Sequence, residues 1–170
     1  MTQPDSQIDT AAPVLPFDVD DVPWEAWSEG VRFGGRVKAI GARAGGSKVG
    51  VLIEELPPHR QSVPLHWHTH EEEHMWFLAG TATLRLGDER YVVKAGDYVC
   101  FPAGRALGHC IVNDSEEPCR YLVIGQRSPD DVCFYPDSCK VMIRAAGRLI
   151  VGTEPVRDYW DGEKADEPPV

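Results

Sequence analysis

The 170-residue sequence has no apolar run long enough to cross a membrane as a helix. Its first residues, MTQPDSQIDTAAPVLPFDVDD, lack the basic start and apolar stretch of a signal peptide. The expectation is an intracellular, cytoplasmic protein with no membrane partner. Basic residues are scarce: 17 Lys and Arg stand against 27 Asp and Glu, for a net charge of -10. That balance argues against nucleic acid as a partner. The five cysteines (Cys100, Cys110, Cys119, Cys133, Cys139) are odd in number and form no C-x-x-C pair. A disulfide framework or a thiolate zinc site is not expected, and the cysteines read as reduced residues in or near a core. A sustained helical period is also missing between residues 32 and 127.

Short β-type runs fill that span. GRVKAIGA, KVGVLIEEL, VPLHWH, HMWFLAG, TATLRLG, RYVVKAG, YVCFPAG, GHCIVN and CRYLVIGQR are rich in branched and aromatic residues. Gly, Pro, Asp or Asn separates them. In TATLRLG the residues Thr81, Thr83 and Arg85 alternate with Ala82, Leu84 and Leu86, the period of two of a half-buried strand. Gly87-Asp88 marks a hairpin turn. The pattern predicts an all-β sandwich or small barrel. Residues 1–20 read as a polar tail. Residues 21–46 read as an arm, helical turn or extended, plus the first strand. The arm carries Trp24 and Trp27, which need cover from the body or from a second subunit. The main barrel is expected over 47–126 and a C-terminal extension over 127–170.

The segment HWHTHEEEH (66–74) admits two metal readings. His70 to His74 matches H-E-x-x-H, the helical zinc-protease motif. That motif needs turns of helix around it, and Pro64, Gly80 and the β-type run HMWFLAG oppose them. On a strand, residues two apart point the same way. His66 and His68 then share a face, and Glu73 on the next strand shares one with Met75 and Phe77. Two or three imidazoles with one carboxylate suit a divalent transition metal: Fe, Mn, Zn, Ni or Cu.

HWHTHEEEHMWFLAG also resembles the first motif of the cupin superfamily: His66, His68, Glu73 and Gly80 fall at its positions. GDYVCFPAGRALGHCIVN resembles the second motif through Gly96, Pro102, Gly104, His109 and Asn113. Four residues, rather than the usual two, separate Gly104 from His109. The resemblance covers about residues 47–126. It implies a double-stranded β-helix, or jelly-roll barrel, with His66, His68, Glu73 and His109 as metal ligands. The flanks VPWEAWSEG and VCFYPDSCKV are similar to those of small single-domain cupins described as sugar-phosphate-isomerase-like.

Within that frame Met75, Phe77, Phe101 and Ile111 are expected to line the pocket. Arg85 and Arg105 are the basic residues nearest the barrel mouth. His59, His70 and His74 are expected away from the metal, and Glu71 and Glu72 form an acidic corner able to support an imidazole. The function expected is a metal-dependent enzyme on a small molecule, either a dioxygenase-like oxidoreductase or a sugar-phosphate isomerase. The alternative is a non-catalytic binding or sensing module. The resemblance further implies a homodimer joined through the arm.

Overall fold

The computed structural model describes residues 15–161. The first fourteen residues of the expected tail and the last nine residues of the chain lie outside that range. The strands are β1 (Glu25–Glu29), β2 (Phe33–Lys38), β3 (Val49–Leu56), β4 (Arg60–Gln61), β5 (Trp67–His68), β6 (Glu73–Ala79) and β7 (Thr81–Leu86). They continue as β8 (Glu89–Lys94), β9 (Tyr98–Phe101), β10 (His109–Asn113), β11 (Cys119–Gln126), β12 (Val132–Tyr135), β13 (Lys140–Ile143) and β14 (Leu149–Gly152). No helix among the described residues is long and apolar enough to cross a membrane.

A ten-stranded sheet curls in the order β8-β7-β10-β4-β2-β3-β11-β6-β9, with β1 added beside β2. A four-stranded sheet runs β14-β13-β12-β5. This is the all-β architecture that the alternating runs predict, in the jelly-roll form that the family resemblance implies. Its interior is filled by Leu56, Met75, Phe77, Ala82, Leu84, Val93, Phe101, Ile111, Cys119, Tyr121 and Val123. In a barrel this small, inward side chains are the core itself. Leu84 and Ile111 show why: they stand opposite one another across the β7–β10 pair and both point inward.

One local detail settles an alternative that the sequence left open, and two depart from the sequence reading. The arm is a strand: β1 pairs with β2, and Trp24 lies under Arg36, Lys38 and Arg120 at 4.7, 5.2 and 5.5 Å. It therefore docks on its own body. The run GRVKAIGA stops being strand at Lys38 and forms one turn of helix, α1 (Ile40–Arg43). There Gly41 approaches β3 so closely that a Cβ would stand 2.9 Å from the Val51 amide nitrogen. Cys139 is exposed rather than in the core, whereas Cys110, Cys119 and Cys133 are buried and Cys100 is half-buried; all five are free thiols.

Gly80 joins β6 to β7 at φ +78°, and a Cβ there would lie 2.4 Å from the Pro118 carbonyl oxygen. Only glycine satisfies both the conformation and the contact.

Candidate metal centre

His66 and His109 face each other in an antiparallel bridge, with N···O distances of 3.2 and 2.8 Å in the two directions. The bridge holds His109 in place, although the Pro102–Gly108 loop before it is longer than the motif requires. His68 follows on β5, and Glu73 opens β6. These four side chains converge. One oxygen of Glu73, Oε2, lies 3.0 Å from His109 Nε2, 3.5 Å from His66 Nε2 and 3.8 Å from His68 Nε2. Gly125 stands opposite Glu73 on β11, and a Cβ there would come within 3.2 Å of Glu73 Oε1. The glycine leaves the carboxylate its room.

The far sides of the rings are held in turn. His66 Nδ1 donates to the Pro64 carbonyl at 3.0 Å, which leaves a lone pair on Nε2. His68 Nδ1 lies 2.6 Å from Asp131 Oδ2, and Asp131 is fully buried. Asp131 also accepts from the His70 amide at 3.0 Å. His109 stacks on Phe101 with centroids 3.6 Å apart and planes 3° from parallel, and its Nδ1 has no partner among the described residues.

The charges suit a cation. Burial alone would raise the Glu73 pKa, but the neighbouring His109 and His66 rings outweigh it and hold the carboxyl well below its usual range. Burial pushes the His109 imidazole down to about 4, against the pull of Glu73, so it is neutral at pH 7. Burial likewise opposes ionisation of Asp131, but the His68 ring and the His70 amide keep its carboxyl below the ordinary value. Neutral imidazoles and an ionised carboxylate are the forms in which these side chains bind metals. Bonds of roughly 2.1 Å put neighbouring ligand atoms roughly 3 to 4 Å apart, and the three contacts to Glu73 Oε2 fall in that interval. The residues fit a divalent transition metal.

A pocket opens beside the centre, with His68 and His109 in its wall. Leu86, Val99, Phe101, Pro102 and Leu107 give it an apolar lining, and Arg105 from the long loop adds a cation. Of the four residues expected to line it, Phe101 does. Met75, Phe77 and Ile111 sit in the packed core instead, at 6%, 1% and 0% exposure. Arg85 turns away to pair with Asp137. His74 points out of the barrel to Tyr98 and Glu72, at 2.5 and 3.0 Å. His70 is exposed beside Thr69, and exposed His59 lies 3.4 Å from Glu116. Glu71 is no solvated corner: it is buried, 2.7 Å from Arg144 and 3.6 Å from His68 Nδ1.

Three residues near the centre carried no signal in the sequence. Asp131 and Cys133 arrive from the loop and strand of the smaller sheet, and Glu54 faces inward on β3, opposite Tyr121. Burial, reinforced by the negative charge of Glu73, raises the pKa of Glu54 despite a lowering contribution from Tyr121.

The cupin domain model matches residues 52–125. A candidate sugar phosphate isomerase from Acidithiobacillus ferrooxidans is 30% identical to the chain. The match covers 82% of this chain and 91% of that one, with a TM-score of 0.76. The chain is a cupin. A cupin-superfamily sugar phosphate isomerase from Silicibacter pomeroyi is 25% identical, covering 86% of this cupin and 98% of that chain, with a TM-score of 0.74. The polyketide cyclase of Streptomyces resistomycificus shares the fold at 23% identity and a TM-score of 0.57, covering 66% and 78% of the two chains. No curated protein matches this cupin.

Proposed function

We propose that this cupin is a divalent-metal-dependent enzyme that isomerises a small phosphorylated sugar in the pocket beside His68 and His109. The convergence of His66, His68 and His109 on one oxygen of Glu73 carries the reading. The two sugar phosphate isomerases similar to the chain give it its direction. Arg105 in the pocket wall supplies the cation that a phosphate requires.

Each residue has a part in such a reaction. His66, His68, Glu73 and His109 would hold the ion, which, when bound, supplies a Lewis acid for a carbonyl or enediol oxygen. Asp131 keeps the His68 ring in one tautomer. The apolar walls exclude water from the reacting carbons.

The test has two stages. Metal-free protein is titrated with Mn²⁺, Zn²⁺ and Fe²⁺ by calorimetry, and the loaded protein is then assayed against a panel of aldose and ketose phosphates. One equivalent of metal, lost in His66→Ala, with turnover weakened in KM by Arg105→Ala, is the expected result. Failure to bind any ion defeats the proposal. Tight binding of the sugar phosphate without turnover makes the protein a binding module instead.

The protein is further proposed to act as a cytoplasmic homodimer. Trp76, Leu78 and Tyr98 are 51%, 38% and 63% exposed on the outer surface of β6 and β9, and such a patch favours a partner surface. Sedimentation showing only monomer at micromolar concentration would contradict this.

A further inference from the structure

Cys133 lies against the same centre from the four-stranded sheet, beside His68. It stands directly opposite His68 across the β5–β12 pair, while the neighbouring pair, Trp67 and Phe134, stacks on the other face at 4.3 Å and 4°. Facing residues of an antiparallel pair project to one side. The register therefore aims the thiol inward with His68. Its sulfur and one ring nitrogen from each of His66 and His68 lie within 4.8 Å of one another. Cys133 is 1% exposed and forms no disulfide. The Tyr135 ring, two residues on, stacks over His66 at 6.2 Å.

His66 thus belongs to two donor sets. One is His66, Glu73 and His109, with two nitrogens and a hard oxygen; the other is His66, His68 and Cys133, with two nitrogens and a soft sulfur. Oxygen-rich sets suit Mn²⁺, whereas thiolate favours Zn²⁺, Co²⁺ and Cd²⁺.

We propose that Cys133 is a ligand of this centre for thiophilic divalent ions. On binding, the sulfur–hydrogen bond breaks, the proton leaves to solvent, and the sulfur electron pair forms the bond to the ion, with no change of oxidation state. With Mn²⁺ the thiol keeps its proton and stands aside. The identity of the bound metal therefore selects which face of the centre is closed by protein and which is left for substrate. This inference rests on the metal-centre reading above.

Anaerobic titration of the metal-free, full-length protein with Co²⁺ tests it. Visible ligand-field bands report occupation of the centre, and a near-ultraviolet sulfur-to-cobalt charge-transfer band reports the thiolate. Both are expected in the wild type. Cys133→Ser and Cys133→Ala should keep the ligand-field bands and lose the charge-transfer band. Their affinity for Cd²⁺ should fall roughly tenfold or more, with that for Mn²⁺ little changed. Cys100→Ser, in the outer Glu72, His74 and Cys100 cluster, should keep both bands. Ligand-field bands without charge transfer in the wild type overturn the proposal and leave the metal centre standing. A charge-transfer band that vanishes in Cys100→Ser but persists in Cys133→Ser overturns it too. Absence of both bands overturns the metal centre and this inference together. Because the wild-type spectrum alone decides the first point, a variant that fails to fold does not rescue the proposal.

Discussion

Asp131 Oδ2 lies 2.6 Å from Nδ1 of His68, and the two residues are 63 positions apart in the chain. The carboxylate is fully buried and also accepts from the His70 amide, so it is fixed before it fixes the imidazole. It is a dedicated support for the His68 ring, one of the proposed ligands.

Removing that support should weaken metal binding without removing a ligand. Asp131→Asn retains an acceptor but loses the charge that strengthens the ring as a donor. We expect metal affinity to fall roughly 10-fold in Asp131→Asn and up to about 100-fold in Asp131→Ala. Calorimetric titration with Zn²⁺ measures both. Unchanged affinity in Asp131→Ala would show that His68 is not a ligand or needs no support.

Gly125→Ala tests the room left for Glu73. The new methyl would stand 3.2 Å from Oε1 and 3.4 Å from Cγ, so the carboxylate must move by a few tenths of an ångström. Hydrogen bonding and ligation both depend on such distances. Metal affinity should fall by roughly 10-fold, with a melting temperature lowered by only a few degrees in the metal-free protein.

The metal-free protein should lose stability on acidification through a defined window. The unfolded chain binds a proton at His109 below its ordinary value of 6.5, whereas the folded chain does so only below about 4. Between those values the unfolded state holds more protons, so lowering the pH favours unfolding by up to about 1.4 kcal/mol per pH unit. Glu73 adds a separate loss, starting near its ordinary 4.5 and continuing downward, because its folded pKa is depressed. Urea denaturation at pH 7 and pH 5 should show the His109 effect. His109→Phe should show a shallower slope over that interval.

Arg144→Ala should leave the Glu71 carboxyl without its cation. Glu71 is 4% exposed, and burial already raises its pKa although Arg144 and the Ser128 amide pull it down. Stranding such a carboxylate costs about 3 kcal/mol. Protonation relieves the strain, so the loss measured by denaturation should be smaller at pH 5 than at pH 8.

The four convergent residues were legible for a simple reason. His66 and His68 sit two apart on extended chain, Glu73 opens the next strand, and the motif spacing locates His109, so local periodicity carries most of the geometry. Asp131 and Cys133 were not legible, because they reach the centre through the β5–β12 pairing. Nothing near residue 68 announces which distant strand will lie beside it. The pocket wall failed for another reason. Alternation correctly points Met75, Phe77 and Ile111 inward, but it does not say how far along the barrel packing ends and open space begins. The arm stayed open between two forms because β1 is short, and its strand character comes from pairing with β2 rather than from its own composition.

His68 belongs to the four-stranded sheet, whereas Glu73 and His109 belong to the ten-stranded one. An ion held among them is therefore a rivet through two layers of the molecule. Peeling the C-terminal hairpin away from the barrel would mean giving up the ion, and giving up the ion would loosen the hairpin. By that reciprocity, amide exchange over residues 132–143 should report metal occupancy from outside the centre itself.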